Sequence, residues 1–288
     1  MKDLNYQLMK LCKANRDGSF STQATRRRIL DRVANQLHEL GYKHMQAKSL
    51  KPKHVDALVS LWKDQGLSIG TLKNLLSGLR WWAGHVGKAD MIPKDNSAFD
   101  IGNRSQVAEE SKAWKLKEAQ LEKIFNPYVR LSLRLQAAFG LRREEAIKFR
   151  PNYAIKDDHI KLKASWTKGG RARIVPIRTD GQRKLLEDVK KLGKGGALIP
   201  PNKNFIKQRN HYDRQVRAAG IKNPHGLRHA YAQRRYEELT GWKAPAVGGP
   251  ASKSLNSDQR ALDKGARETI SRELGHGRES VSATYLGR

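Results

Sequence analysis

Hydrophobic residues recur at helical spacing in three stretches within the first hundred residues. Because the apolar positions lie three or four residues apart, they share one face of each helix. Glycine or proline residues separate the stretches, and STQATRRRILDRVANQLHELG begins with side chains that cap helices. The three apolar faces are Ile29, Leu30, Val33, Leu37 and Leu40; Val55, Leu58, Val59 and Trp62; and Leu72, Leu75, Leu76, Leu79 and Trp82. The pattern predicts a small helical bundle over residues 1–105.

This periodicity is lost between residues 90 and 112, where Pro, Gly and many polar residues follow one another. Such a composition is typical of a segment that joins two domains. We therefore predict a linker at residues 106–114 and a second domain at residues 115–288.

The second domain mixes helical and strand-like patterns. Two strand-like runs, HIKLKASW and ARIVPI, flank TKGGR, whose adjacent glycines favour a hairpin turn. Helices are predicted before them, in KEAQLEKIF and VRLSLRLQAAF, and after them near 180–192, 204–219 and 225–239. A Gly-, Pro- and Ser-rich segment near 241–264 interrupts the pattern, and two short helical pieces close the chain. We expect a mostly α fold with a small antiparallel β-sheet.

Basic residues outnumber acidic ones by two to one. The chain has 57 Lys and Arg against 28 Asp and Glu, which gives a formal net charge of +29. A surplus of this size repels itself unless a polyanion screens it, and nucleic acid is the polyanion that fits. The cations are spread along the chain instead of being gathered in one amphipathic helix, so a membrane surface is the weaker interpretation.

Cysteine content and the lack of long apolar runs exclude several kinds of site and bear on the cell compartment. Cys12 is the one cysteine, so an intramolecular disulfide and a cysteine-rich zinc site are both excluded. No run of about 18 apolar residues predicts a membrane-spanning helix, and the first twenty residues lack an apolar signal-peptide core. We expect a cytoplasmic protein that is nucleoid-associated when bound to DNA.

Several short motifs carry side chains suited to phosphate chemistry. They are Arg142 and Glu145 in GLRREEA, Lys168 in TKGGRAR, His225 and Arg228 in PHGLRH, His276 in LGHGR, and Tyr285 in ATYLG. Taken singly, each has an ordinary explanation: a surface ion pair, a solvated basic turn, a helix cap or a surface aromatic ring. A zinc site at His225 and His229 would lack a third ligand and the acid that should follow the first histidine.

Taken together, these side chains match the requirements of phosphoryl transfer. Two arginines can clamp the non-bridging oxygens of a phosphodiester. A lysine or histidine can protonate a leaving alkoxide, and a tyrosine can attack phosphorus. His276 and Tyr285 lie nine residues apart, so they would point in opposite directions on one straight helix. Gly277 allows a break, and a short helix over 279–285 would bring Tyr285 back to His276.

The order of these residues resembles the catalytic set of the tyrosine recombinase, or phage integrase, family. That set runs Arg, Lys, His-x-x-Arg, His or Trp, and Tyr. The matching positions here are Arg142, Lys168, His225, Arg228, His276 and Tyr285, with Glu145 at the acidic position that often follows the first arginine. The likeness extends from about residue 115 to the end of the sequence. The helical region before it is similar, less specifically, to the SAM-like core-binding domain of the family.

The resemblance implies a fold and a set of partners. The fold would be an N-terminal SAM-like helical bundle and an α+β catalytic domain, closed as a clamp around double-stranded DNA. The active form would be a homo-tetramer on DNA, and the free protein a monomer or weak dimer. Accessory DNA-bending proteins are a further class of partner. Neither a metal nor another cofactor would be needed, since the covalent link to DNA conserves the energy of the broken bond.

The resemblance also implies a role for each residue in a site-specific recombinase, for integration or excision of a mobile element. Tyr285 would attack the scissile phosphate, form a 3′-phosphotyrosyl bond and free a 5′-hydroxyl. The expected supporting roles are Arg142 and Arg228 holding the phosphate with help from His225, Lys168 protonating the leaving oxygen, His276 binding the phosphate or orienting the tyrosine, and Glu145 bracing the arginines.

Two features depart from the family pattern. Arg228 and His276 are 48 residues apart, about twice the usual separation. The extra segment near 241–264 is interpreted either as a solvated loop or as a contact to DNA or a neighbouring protomer. Many relatives dock on the adjacent subunit through a tail after the tyrosine, and only three residues follow Tyr285 here. The contact would then have to come from the Tyr285 helix itself, the segment near 241–264, or some other element.

Two other interpretations share parts of this pattern. A type IB topoisomerase would use the same chemistry, and would differ in lacking strand exchange between two DNAs. A non-enzymatic basic DNA-binding protein would explain the charge but not the complete residue set. RNA binding is less favoured, because no RNA-recognition motif or Gly-rich arginine repeat is present.

The charge surplus leads to a prediction about salt. If about five or more phosphates are contacted, the affinity for duplex DNA should fall steeply as salt rises, since bound counterions are released. The slope of log Kd against log salt concentration, measured by fluorescence anisotropy, checks this. A flat slope would contradict a clamp around DNA.

Overall fold

Four α-helices, instead of the three that the periodicity predicts, build the N-terminal part of the described chain. The computed structural model describes residues 3–103, 105 and 107–288, and it divides the chain into two units, Met1–Ser105 and Gln106–Arg288. The helices of the first unit are α1 (Asp3–Ala14), α2 (Phe20–Glu39), α3 (Pro52–Asp64) and α4 (Ile69–His85).

The additional helix is α1, which packs against α2. It buries a narrow stripe of Leu4, Leu8 and Cys12, spaced four residues apart. Asn5 donates from Nδ2 to the Asp31 carboxylate at 2.7 Å. A stripe of one apolar residue per turn is a weak periodic signal, so α1 is fixed mainly by packing against its neighbour.

The predicted apolar faces form the core of this unit, with two shifts. α2 begins at Phe20, slightly before the Ser/Thr positions that the motif offered as a cap, because the hydroxyl of Ser19 accepts a hydrogen bond from the backbone N–H of Thr22 and caps the helix. Leu40 lies past the end of α2 and is 39 % exposed. The indoles of Trp62 and Trp82 are fully buried. Each indole N–H donates to an oxygen of the core, on a glutamine side chain and on a backbone carbonyl respectively.

The second unit consists of nine further helices in its described residues and one two-stranded sheet. The helices are α5 (Glu118–Glu122), α6 (Pro127–Phe139), α7 (Arg143–Ile147), α8 (Pro151–Ala154), α9 (Asp180–Gly193), α10 (Phe205–Ala218), α11 (Gly226–Thr240), α12 (Ser257–Leu274) and α13 (Ala283–Leu286). This mostly helical fold with a small sheet confirms the predicted fold class.

The sheet pairs β1 (His159–Leu162) with β2 (Arg173–Pro176) in antiparallel register, so that Leu162 lies opposite Arg173. Both strands are shorter than predicted. β1 ends at Leu162 because Ala164–Trp166 forms a 3-10 turn that buries the tryptophan. Gly169 and Gly170 adopt left-handed backbone angles at the loop tip, as a turn there requires.

Two segments differ from their predicted character. Residues 108–114, within the predicted linker 106–114, form an irregular segment that packs against the rest of the second unit. Ala108 N donates to Ala283 O and Trp114 N donates to Gly226 O, at 3.0 Å each. The irregular segment ends at residue 256 instead of 264, because Asn256 caps α12. No helix in the described part of the chain is long and apolar enough to cross a membrane.

Replacing Gly78 by alanine tests the packing of α4 on α2. A Cβ at Gly78 would lie 2.5 Å from Cγ2 of Ile29, a branched methyl close to its own backbone. We expect Gly78→Ala to lower the free energy of unfolding by about 1–3 kcal/mol, as overpacking does. Gly84→Ala, in the same helix with no atom within 4 Å, is the control and should change stability by less than about 1 kcal/mol. Equal effects in urea unfolding would contradict this packing.

Candidate active site

Arg228 lies in the first turn of α11 and is buried, with 1 % of its surface exposed. Its guanidinium reaches the ends of two other helices. Nη1 donates to the carbonyl of Gly140, which follows α6, at 2.5 Å, and Nη2 donates to the carbonyl of Leu274, the last residue of α12. Carbonyls at helix C-termini lack partners within the helix and carry partial negative charge, so they suit a buried cation. Burial lowers the pKa of Arg228 to about 10, which leaves it charged at neutral pH.

Gly140 is required at the end of α6 for a steric reason. Its φ is 63°, a left-handed angle that favours glycine. A Cβ at this position would lie 2.6 Å from the ring of Tyr231 and 2.9 Å from the side chain of Leu274. The absence of a side chain therefore allows the carbonyl of Gly140 to face Arg228.

Tyr285 lies in α13, is 5 % exposed, and meets Arg228 through its hydroxyl. Nε of Arg228 donates to Tyr285 Oη at 3.2 Å. A 3-10 turn at Glu279–Ser282 precedes α13 and returns the chain, so that the His276 and Tyr285 rings are 5.5 Å apart. The predicted break after His276 is thus present, and the two residues lie together.

The short helix that carries Tyr285 is held on both sides. The backbone carbonyl of Tyr285 accepts a hydrogen bond from the side chain of Gln233 at 2.9 Å. The next-but-one residue, Gly287, leaves no room for a Cβ, which would lie 2.8 Å from Ala246 N. Its carbonyl accepts from Arg267, whose guanidinium also pairs with Asp263. The irregular segment at 241–256 therefore includes residues that pack against the tyrosine helix.

His276 is neutral, and its contact with Arg228 defines its tautomer. Nε2 of His276 lies 3.2 Å from Nη2 of Arg228. Because a guanidinium can only donate, Nε2 accepts and the proton is assigned to Nδ1. Burial, followed by the charges of Arg228 and Arg142, lowers the pKa of His276 to about 3. The ring thus offers one N–H donor without carrying a charge.

Two more histidines face Tyr285 from α11. His225 is exposed at the helix start, with its ring centroid 6.4 Å from that of Tyr285. His229 is buried, lies 4.6 Å from Tyr285, and has no partner for Nδ1 among the described residues. Burial, followed by electrostatic interaction with His225, Lys112 and Arg228, lowers the pKa of His229 to about 4. The sequence suggested His229 only as half of an unlikely zinc pair.

Glu145 is fully buried and paired with two arginines. Its oxygens accept from Arg142 twice, from Nη1 at 2.9 Å and from the backbone N–H at 2.7 Å. They also accept two parallel bonds from Arg173, at 2.9 and 2.7 Å. Burial alone would raise the pKa of Glu145, but the hydrogen bonds and charge of Arg173 lower it to about 2. Glu145 is therefore a carboxylate at every pH where the protein is expected to work.

Arg173 is a site residue that sequence reasoning missed. The available signal was its position: it alternates in β2 with the exposed Ile174 and shares the inward face with Val175. A charged side chain on the inward face of a strand needs a buried partner, and Glu145 is that partner. Arg173 is also the last residue of TKGGRAR, the motif that contains Lys168.

Lys168 is the predicted residue that the structure does not bring to the others. It is exposed at the loop tip and makes no hydrogen bond or ion pair with any described residue. Its loop nevertheless lies beside the site, because a Cβ at Gly277 would be 2.0 Å from the guanidinium of Arg171. The loop thus approaches the turn that carries His276.

The assembled site is cationic. Arg142, Arg173 and Arg228 surround one carboxylate, that of Glu145, which leaves a surplus of positive charge. Within residues 3–103, 105 and 107–288, no group of three His, Cys, Asp or Glu side chains is placed to hold a metal ion. A site of this kind favours an anion such as a phosphodiester, with fixed cations aimed at its oxygens.

Comparison with known families agrees with this chemistry. Two family models match successive parts of the chain: the N-terminal domain of phage integrases at residues 1–91 and the integrase domain at residues 98–234. The chain belongs to the phage integrase, or tyrosine recombinase, family of enzymes that break and rejoin DNA strands. The matched ranges end before His276 and Tyr285. A search of curated proteins returned no significant match.

Solved structures of this family share the fold at low sequence identity. A lambda integrase dimer bound to a core site aligns with a TM-score of 0.64 at 16 % identity, over 98 % of this chain and 77 % of that one. The XerH recombinase in a post-cleavage DNA complex gives 0.58 at 19 %, over 99 % and 81 %. The Tn1549 transposon integrase with circular-intermediate DNA gives 0.57 at 14 %, over 100 % and 96 %.

The lowered pKa values of His229 and His276 predict a loss of stability in acid. A histidine with a pKa below its unfolded value of about 6.5 binds protons more tightly in the unfolded state. The free energy of unfolding should therefore fall as pH drops from about 6.5 towards about 4. Urea unfolding at a series of pH values measures this. His229→Gln removes one titrating group and should flatten the curve, whereas an unchanged slope would contradict the assignment.

Proposed function

We propose that Tyr285 is the nucleophile with which this enzyme cuts duplex DNA, forming a 3′-phosphotyrosine intermediate. The observation that carries the proposal is the hydrogen bond that Nε of Arg228 donates to Tyr285 Oη at 3.2 Å, within a cluster of arginines and beside three histidine rings. A buried cation at the phenolic oxygen stabilises the negative charge that develops there.

Arg228 links the nucleophile to the phosphate. A guanidinium has five N–H donors, and the described contacts of Arg228 use four of them: one each on Tyr285, Gly140, Leu274 and His276. The remaining N–H on Nη1 is available to a phosphate oxygen. Nε–H of Arg228 would keep donating to Tyr285 Oη while this oxygen bonds to phosphorus.

Cleavage would form one bond to phosphorus and break another. Tyr285 Oη bonds to phosphorus, the bond from phosphorus to the 5′ oxygen breaks, and the phenolic proton passes to the neutral ring of His225 on the exposed side. Lys168 supplies a proton to the departing 5′ oxygen. Arg142 and the Nδ1–H of His276 donate to the non-bridging oxygens, where charge accumulates. Rejoining is the reverse reaction, with a 5′-hydroxyl as the attacking group.

Lys168 reaches this position only if its loop moves when DNA binds. Gly169 and Gly170 at the loop tip can adopt a wider range of backbone angles than other residues, and Arg171 already places the loop beside Gly277. A loop that carries the proton donor to the phosphate only in the DNA complex would complete the site at the moment of cleavage.

The net charge of +29 and the relatives support a proposed biological setting. The related structures include a lambda integrase tetramer bound to a Holliday junction and a transposon integrase with circular-intermediate DNA. By analogy, four copies of this chain would assemble on two duplexes, with accessory DNA-bending proteins as further partners. The reaction would be integration or excision of a mobile element, by a protein that is monomeric or weakly dimeric when free.

Tyr285→Phe tests the nucleophile. On nicked duplexes that trap the covalent intermediate, the variant should lower adduct formation by at least about 1000-fold, because removal of a nucleophile abolishes the covalent step. DNA affinity should be retained, since Tyr285 is buried and adds little to the surface that DNA can contact. Tyr153→Phe, at a 38 % exposed tyrosine of the same unit, is the control and should form the adduct normally. An adduct with Tyr285→Phe would refute the assignment.

A further inference from the structure

Arg173 occupies a position that a charged residue seldom takes. It lies on the inward face of β2, and it is 9 % exposed while its neighbour Ile174 is 56 % exposed. Burying a guanidinium is costly unless its charge is paired and its N–H groups find acceptors. Its presence at this position therefore calls for an explanation from its contacts.

These contacts join two separate parts of the site. Nη1 and Nη2 bind the two oxygens of Glu145 side by side, while Nε donates to the carbonyl of Glu273 in the last turn of α12 at 2.8 Å. The aliphatic stem packs on Gly275, where a Cβ would lie 2.9 Å from Cδ of Arg173. Gly275 directly precedes His276, so Arg173 ties Glu145 to the turn that presents this histidine.

Glu145 transmits the constraint to Arg142. Oε1 accepts from the guanidinium of both arginines, and Oε2 accepts from Arg173 and from the backbone N–H of Arg142. With every carboxylate oxygen bonded on two sides, Glu145 has one orientation. That orientation fixes both the start of α7 and the direction of the Arg142 side chain.

We propose that Arg173 is a positioning residue for DNA cleavage, which holds Arg142 and the His276 turn in a fixed relation through Glu145 and the end of α12. This inference rests on the proposed function. Arg173 acts at a distance from the phosphate, because its guanidinium is buried between Glu145 and Glu273. A lysine at this position would keep the charge but lose the planar fork and the Nε donor, so it could not serve both sides together.

Arg173→Lys is the direct test, read out by single-turnover cleavage of a trapping substrate. The first-order rate constant for adduct formation should fall on the order of 100-fold, the usual effect of misplacing a reacting group by about 1 Å. The Kd for uncleaved DNA should stay within about twofold, because a buried arginine makes no phosphate contact. A residue with only a structural role would lower the fraction of active protein, seen as a reduced amplitude, and leave the rate constant unchanged.

Arg178→Lys is the matched control. Arg178 follows the same strand, pairs with the carboxylates of Glu238 at 3.4 Å and Glu273 at 3.7 Å, and donates to Tyr231. It thus braces the same part of α12 without a hydrogen bond or ion pair to Glu145. The variant should lose stability while its cleavage rate constant stays within about threefold of the wild type, as is usual for ion pairs that only brace a fold.

A double-mutant cycle tests the route through Glu145. In a Glu145→Gln background, Arg173→Lys should lower the rate constant for adduct formation much less than it does in the wild type. The reason is that Arg173 acts through Glu145, which is already replaced. Equal rate constants for wild type and Arg173→Lys, equal losses for Arg173→Lys and Arg178→Lys, or full multiplication of effects in the cycle would each overturn the inference. A wild-type protein that forms no adduct would overturn the proposed function as well.

Discussion

The burial of the Arg228 guanidinium is the constraint on which the catalytic unit depends. A buried cation needs acceptors on every side, and here they come from the ends of α6 and α12, from His276 and from the hydroxyl of Tyr285. These groups come from two regions of the chain far apart in sequence, Gly140 and residues 274–285, and Arg228 itself lies between them in the chain. Satisfying one side chain therefore brings the proposed nucleophile, the histidine turn and two helix termini to the same point.

The remaining charges follow from this arrangement. Burial is the main cause of the lowered pKa of Arg228, the charges of Arg142 and Arg173 lower it further, and the negative charge of Glu145 acts in the opposite direction. The histidines nearby stay neutral because burial and the surrounding cations disfavour a further positive charge. The result is a surplus of fixed positive charge beside Tyr285, which is what an incoming phosphodiester requires.

The sequence was informative where patterns are local. Helical periodicity predicted the apolar faces of α3 and α4, and the glycine after His276 predicted the break that returns Tyr285. The role of Arg173 was not predicted, because it depends on the carboxylate of Glu145, which lies 28 residues away and is not revealed by any local pattern. The N-terminal helix α1 was not predicted, because its apolar stripe is narrow. Lys168 stays a prediction from resemblance, since its loop tip is exposed and lies outside the cluster.

Identification of the residue that carries DNA in the trapped intermediate tests the central claim most directly. The protein would be reacted with nicked duplexes drawn from DNA flanking its gene, digested with nuclease and protease, and analysed by tandem mass spectrometry. We predict a nucleotide remnant on the Tyr285 hydroxyl, attached through a 3′-phosphate. A remnant on any other residue, or one attached through a 5′-phosphate, would contradict this account.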